Sequence, residues 1–80
     1  MMAGDLEYIK QAIREAEMLS KRCGGSFEGW LWYILQPPAF MVNDKEIIIE
    51  YPNLDYTVIT RYIIDKKTHE VKEEIEEVEE

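Results

Sequence analysis

The sequence contains few residues whose chemistry could support catalysis. Cys23 is the only cysteine and His69 the only histidine, and they lie far apart in the chain. Nucleophilic catalysis needs a nucleophile with a base within hydrogen-bond reach, and no motif brings such groups together here. We interpret His69 as a turn residue and Cys23 as a small apolar residue at a helix end. The sequence therefore predicts a non-enzymatic protein without catalytic residues.

Two other segments could carry chemistry, namely Gly24-Gly25-Ser26 and the glutamate-rich residues 73–80. The glycine pair follows a predicted helix and lacks the Lys-Ser/Thr ending of a phosphate-binding loop. The acidic run lacks the Gly turn and interleaved Asp and Asn ligands of a calcium loop. Its carboxylates fit a solvated charge run better than a general acid–base pair in a cleft. We expect no metal and no cofactor.

Charge and composition restrict the partners and the compartment. Nine Lys and Arg against 17 Asp and Glu give a net charge of −8, which argues against direct binding of nucleic acid or an anionic membrane. The single cysteine excludes an internal disulfide. No signal peptide is recognisable, and the longest apolar run, residues 30–35, is far shorter than the ~20 residues needed to span a bilayer. We expect a cytoplasmic protein, and the excess of Glu and Ile over Asn and Gln suggests a thermophilic source.

The spacing of apolar residues predicts one helix followed by strands. Residues 5–23 repeat apolar side chains every three or four positions, with Asp5 as a cap and Gly24-Gly25 as the exit. Residues 27–36, 45–51 and 56–65 are rich in β-branched and aromatic side chains and are predicted as strands. A hairpin turn that places His69 in the left-handed conformation then leads to a fourth strand, residues 70–77. Residues 78–80 form the end of the acidic tail.

These elements predict a single α+β domain over residues 1–80, in which the N-terminal helix packs on one face of an antiparallel β-meander of three to four strands, in the order α-β-β-β-β. Pairing Tyr51 with Tyr56 gathers apolar residues on the face expected to take the helix: Ile47, Ile49, Tyr51, Val58, Tyr62, Ile64, Val71 and Ile75. The opposite face would carry Ile48, Ile59 and Ile63 with two of Trp30, Trp32 and Ile34, amid Glu46, Glu50 and Arg61. Glu46 would flank Arg61 across the strands, and Glu74 or a neighbour one register step away would flank it on a fourth strand. A helical tail would give the alternative order α-β-β-β-α, which resembles that of double-stranded RNA-binding domains. Their Lys-rich second helix corresponds here to a glutamate-rich segment, so no RNA-binding function follows.

The surplus of apolar and aromatic residues predicts a protein-interaction domain, most simply a homodimer, or a domain that binds another protein through a sheet face or an edge strand. The candidate interface residues are Trp30, Trp32, Phe40, Met41, Ile48, Ile59 and Ile63. An alternative function is an acidic mimic of nucleic acid that inhibits a basic nucleic-acid-binding protein. Its candidate surface consists of Glu73, Glu74, Glu76 and Glu77. A second alternative is a small enzyme or ligand-binding domain without a recognisable motif.

Overall fold

A computed structural model describes residues 6–78, which form two helices followed by a four-stranded antiparallel sheet. The helices are α1, Leu6–Cys23, and α2, Phe27–Leu35. The strands are β1, Ala39–Val42, β2, Glu46–Pro52, β3, Val58–Asp65, and β4, Val71–Glu77, and they lie in sequence order in the sheet. The predicted α+β class and antiparallel meander are confirmed. The predicted cap Asp5 and the tail residues 79–80 lie outside the described residues.

The chain divides into two compact units, a helical unit of residues 6–36 and a sheet unit that begins at Pro37. The prediction of a single domain and the prediction that the helix packs on the sheet both stay predictions.

In the helical unit, α1 follows the predicted amphipathic pattern. Its buried residues are Ile9, Ala12, Ile13 and Ala16, which share one side because they are three or four positions apart. Lys21 and Arg22 lie in the last turn, where positive side chains interact favourably with the helix dipole. Gly24 and Gly25 then adopt positive φ angles of 82° and 89°, which ends the helix as the sequence predicts.

The predicted strand over residues 27–36 is wrong, because this segment forms α2. Ser26 caps the helix by accepting a hydrogen bond from the Gly29 amide at 3.0 Å. At the other end, Gln36 takes a left-handed conformation and its amide donates to the Trp32 carbonyl at 2.6 Å. Leu31 and Leu35 are buried one turn apart. In a segment that is apolar at nearly every position, helical and strand spacing are both satisfied, so periodicity does not distinguish them.

In the sheet unit, the strands pair antiparallel with a register different from the predicted one. Tyr51 lies opposite Thr60, and Arg61 lies between Glu50 on β2 and Glu74 on β4. The prediction of Tyr51 opposite Tyr56, with Glu46 beside Arg61, is therefore wrong. The chain between β2 and β3 is a five-residue loop, which shifts the partner of each β2 residue by four positions along β3. An even shift leaves every side chain on its predicted face.

Short polar side chains fix the three hairpin turns. The Asn43 side chain accepts hydrogen bonds from the amides of Lys45 and Glu46, and the Asn53 side chain accepts one from Val58. Asp65 accepts hydrogen bonds from the amides of Thr68 and Lys67, and these bonds lower the pKa of its carboxyl below the ordinary value.

His69 closes the β3–β4 turn in the left-handed conformation, with φ of 63°, as predicted. Its amide donates to the Asp65 carbonyl at 2.8 Å, and the chain then enters β4 as predicted for residues 70–77. The alternative of a helical tail, and with it the order α-β-β-β-α, is wrong.

The pleat divides the sheet into two faces of different burial. The inner sheet face holds the residues predicted to share a face, and Ile47, Ile49, Tyr62 and Ile64 on it are fully buried. The outer sheet face is partly exposed and consists of Ala39, Met41, Glu46, Ile48, Glu50, Pro52, Ile59, Arg61, Ile63, Asp65, Lys72, Glu74 and Glu76.

Candidate interaction surfaces

In the helical unit, α2 exposes aromatic side chains on one side. Trp32 is 51% exposed and Tyr33 is 62% exposed. With the exposed Gly29, at spacings of three and four residues, they share one side of the helix, which we call the aromatic face of α2. The face carries no charge, and Glu28 is the only charged residue of α2. A helix that is apolar on all sides is normally covered on all sides, so this exposure is unusual.

Trp30 contacts both the segment between the two helices and the Tyr33 ring of the aromatic face. Its indole Nε1–H donates a hydrogen bond to the Gly24 carbonyl at 2.6 Å, and its ring contacts that of Tyr33 edge to face, with centroids 5.9 Å apart. Gly25 lies so close that a Cβ atom there would stand 3.1 Å from the indole nitrogen. Trp30 and the exposed Cys23 both line a shallow hollow of about 510 Å³. Trp30 therefore fixes the α1–α2 connection and holds the Tyr33 ring in place.

In the sheet unit, charged and apolar rows alternate across the outer sheet face. The first row pairs Glu46 with Asp65. The other rows are listed by their cross-strand partners: Met41, Ile48, Ile63 and Lys72, then Ala39, Glu50, Arg61 and Glu74, and then Pro52, Ile59 and Glu76. The face is thus neither a plain apolar patch nor a uniformly solvated one.

Arg61 lies at the centre of this face and contacts three carboxylates. Its Nε is 2.8 Å from Glu50 Oε2, its Nη2 is 3.1 Å from Glu76 Oε1 and its Nη1 is 3.9 Å from Glu74 Oε1. Two hydrogen bonds, the one to Glu50 with the larger effect and the one to Glu76 with the smaller, raise the pKa of Arg61 above its ordinary value. Two of the three guanidinium nitrogens donate hydrogen bonds. One positive charge faces three negative ones, so the cluster keeps an excess of negative charge.

Two hollows are lined in part by residues of the outer sheet face, and each combines apolar walls with carboxylates. The smaller has a volume of about 220 Å³ and is lined by Pro38, Ala39, Glu50, Pro52, Tyr56 and Ile59. The larger has a volume of about 360 Å³ and is lined by Glu46, Ile63, Asp65, Thr68, Glu70, Val71 and Lys72. Both hollows suit a long side chain with an apolar stem and a positive end.

The predicted interface residues fall into three places. Met41, Ile48, Ile59 and Ile63 share the outer sheet face, as the alternation predicts for the three isoleucines. Phe40 is opposite Ile49 and therefore belongs to the inner sheet face. Trp30 and Trp32 lie on α2, so the prediction that two residues of the 30–34 segment join the outer sheet face is wrong.

The predicted acidic surface is split by the pleat of β4. Glu74 and Glu76 contact Arg61 on the outer sheet face, whereas Glu73 lies opposite Tyr62 and Glu77 opposite Val58 on the inner one. The four glutamates therefore form no single acidic stripe. The nucleic-acid mimic stays a prediction, and this division gives it little support.

Sequence reasoning missed Tyr33 and Gly29 as surface residues of interest, and it placed Glu50 on the outer sheet face without pairing it with Arg61. The signal for α2 was present, because Ser26 precedes an apolar run and Pro37-Pro38 follows it, as at many helix boundaries. Once residues 27–35 are assigned to a helix, Gly29, Trp32 and Tyr33 fall on one side.

Within residues 6–78, no three His, Cys, Asp or Glu side chains are arranged to hold a metal ion. Neither helix in that range combines the length and the hydropathy required to cross a bilayer. No protein-family model, curated protein or solved structure matches this chain.

Proposed function

We propose that this protein is a small, non-enzymatic interaction domain that associates with a second copy of itself through the aromatic face of α2. The observation that carries the proposal is the exposure of Trp32 and Tyr33 on a helix with a single charged residue. Tryptophan and tyrosine provide much of the binding energy at protein interfaces, because their large rings lose little conformational entropy when they become buried.

Charge favours a second copy at this face. The chain carries a net charge of −8, so most contacts between two copies would bring like charges together. The aromatic face of α2 contains no charged side chain and avoids this repulsion. In a two-fold dimer each copy presents the same surface, and an uncharged aromatic surface is compatible with itself.

The shape of α2 also suits a close contact. Gly29 has no side chain and lies on the same side as the Trp32 and Tyr33 rings, so a partner helix can approach the backbone at that position. Trp30 holds the Tyr33 ring edge to face, which reduces the entropy lost on association.

The test is sedimentation velocity of the full chain over a range of concentrations. Trp32→Lys places a charge in the centre of the aromatic face, and Met18→Lys is its matched control, because Met18 is an exposed apolar residue of α1 with 46% exposure. We expect the wild type and Met18→Lys to dimerise, and Trp32→Lys to raise the dissociation constant at least about tenfold. Circular dichroism of all three proteins checks that the variants fold.

Two results would contradict the proposal. A wild-type chain that stays monomeric at the highest attainable concentration has no self-association to explain. Equal weakening of the dimer by Trp32→Lys and Met18→Lys would place the contact elsewhere or make it a general effect of charge.

A further inference from the structure

We propose that the outer sheet face is a second interaction surface, which binds an extended protein segment that alternates basic and apolar residues. The inference is independent of self-association through α2. It is based on the order of rows across the sheet, the charge of the face and the two hollows that its residues help to line.

Charge excludes a second copy as the preferred occupant of this face. Glu46, Glu50, Asp65, Glu74 and Glu76 carry five negative charges, and Arg61 and Lys72 carry two positive ones, which leaves −3. Two such faces in contact would bury an excess of carboxylates without counter-charges, at a high desolvation cost. A basic partner supplies the missing counter-charges and so removes this cost. Long-range electrostatic attraction also steers such a partner towards the face.

The row order specifies where the partner's charges should lie. Three rows have an excess of carboxylate, and two of them contain Glu46 and Glu50 on β2. The apolar row that contains Ile48 lies between these two. Residues four positions apart along a strand are separated by about 13 Å. A partner strand therefore meets both acidic rows when it carries Lys or Arg at positions i and i+4, and it meets the apolar row with the residue at i+2.

The hollows add a place for each basic side chain. In the smaller one, Pro52, Ile59 and Tyr56 can contact the aliphatic stem while Glu50 accepts a hydrogen bond from the charged end. In the larger one, Ile63 supplies the apolar wall, and Glu46 supplies the carboxylate. Since Glu50 is 24% exposed, its carboxylate can accept a further hydrogen bond beside Arg61.

The experiment uses a disulfide-closed β-hairpin peptide as the probe, because a preformed strand avoids the entropy cost of ordering a flexible one. One strand of the probe reads Lys-Ser-Ile-Ser-Lys-Ser-Ile, and a control hairpin of the same composition has its two lysines on adjacent positions. The probe is titrated into the full-length ¹⁵N-labelled chain while amide shifts are recorded by NMR. We expect shifts centred on Ile48, Arg61 and Ile63, weakened by added salt.

Two matched substitutions on β4 distinguish binding at the outer sheet face from a general effect of the protein's net charge. Glu74→Gln removes a carboxylate from the outer sheet face, and Glu77→Gln removes one from the inner sheet face. We expect Glu74→Gln to weaken probe binding about fivefold, which corresponds to ~1 kcal/mol for one partly exposed ion pair. We expect Glu77→Gln to leave probe binding unchanged.

Three outcomes would overturn the proposal: the absence of shifts at millimolar probe, equal binding of the two hairpins, or equal effects of the two substitutions. Shifts of the same amides that depend on the protein's own concentration would assign the face to a second copy and would also overturn it. A failed dimerisation test at Trp32 leaves this result unaffected, because the two tests concern different surfaces.

Discussion

Single residues decide the backbone geometry of the loops. Tyr56 has a φ of 60°, in the left-handed region that costs an L-residue roughly 1–2 kcal/mol. It nevertheless donates its amide to the Asn53 carbonyl at 3.2 Å, and its ring is 67% exposed. The loop between β2 and β3 therefore contains local strain that its side chain does little to offset.

Tyr56→Gly should stabilise the protein by about 1 kcal/mol, because glycine adopts positive φ without a steric penalty. The measurement is the urea-induced unfolding midpoint. Leu54→Gly is the control, since Leu54 is fully exposed in the same loop and is not among the residues with positive φ. That variant should be neutral or slightly less stable, and a gain of the same size from both would contradict the strain argument.

The side chain of Asp65 stabilises the β3–β4 turn. Its lowered pKa follows from the hydrogen bonds of two turn amides to the ionised carboxylate. Since the folded-state pKa lies below the unfolded one, the resulting stabilisation is present above the unfolded pKa and is lost as the pH falls through the folded value.

Among the elements, α2 depends most on its capping residues. Nine residues are too few for a helix to be stable by propensity alone, so α2 relies on the Ser26 cap and on burial of Leu31 and Leu35. The Ser26 hydroxyl satisfies an amide that would otherwise lack a helical partner.

Ser26→Ala should destabilise the protein by about 1 kcal/mol, the usual cost of removing a serine N-cap. Ser20→Ala is the matched control, because the Ser20 hydroxyl donates to the Glu17 carbonyl inside α1 and caps no helix end. Thermal unfolding followed by circular dichroism compares the two. Equal melting temperatures for Ser26→Ala and the wild type would show that the cap contributes nothing to α2.

Across the sheet unit, the two edge strands have features that discourage pairing with other chains. β1 has only four residues and follows Pro37-Pro38, which removes two amide donors from the chain that enters it. β4 carries Glu73, Glu74, Glu76 and Glu77, so pairing with an identical strand would bring like charges together. These features disfavour association through an edge strand.

Truncation after Glu70 should cause aggregation, because the loss of β4 exposes the backbone donors and acceptors of β3 along its whole length. Light scattering and size-exclusion chromatography measure this. Truncation after Glu77 is the control. It removes the bond from the Val78 amide to the Thr57 carbonyl but leaves every paired β4 residue in place, so it should remain folded. A monodisperse, cooperatively folded protein ending at Glu70 would contradict the expected role of β4.

The sequence alone determined those features that local chemistry decides. The amphipathic spacing of α1, the glycine exit at Gly24-Gly25 and the left-handed His69 all follow from the residue types within a short stretch of sequence. The division of β2 and β3 into two faces was also predictable, since alternation is a local property of a strand.

The tertiary structure decided the rest. An apolar segment such as residues 27–35 satisfies helix and strand spacing equally, so the burial of Leu31 and Leu35 selects the helix, in agreement with the local signal of Ser26. Register depends on loop length and on pairing partners far apart in sequence. The observed register places Arg61 opposite Glu50, whereas the predicted register placed it opposite Glu46. Both candidate surfaces depend on these two decisions, because α2 exposes Trp32 and Tyr33 and the register places three carboxylates around Arg61.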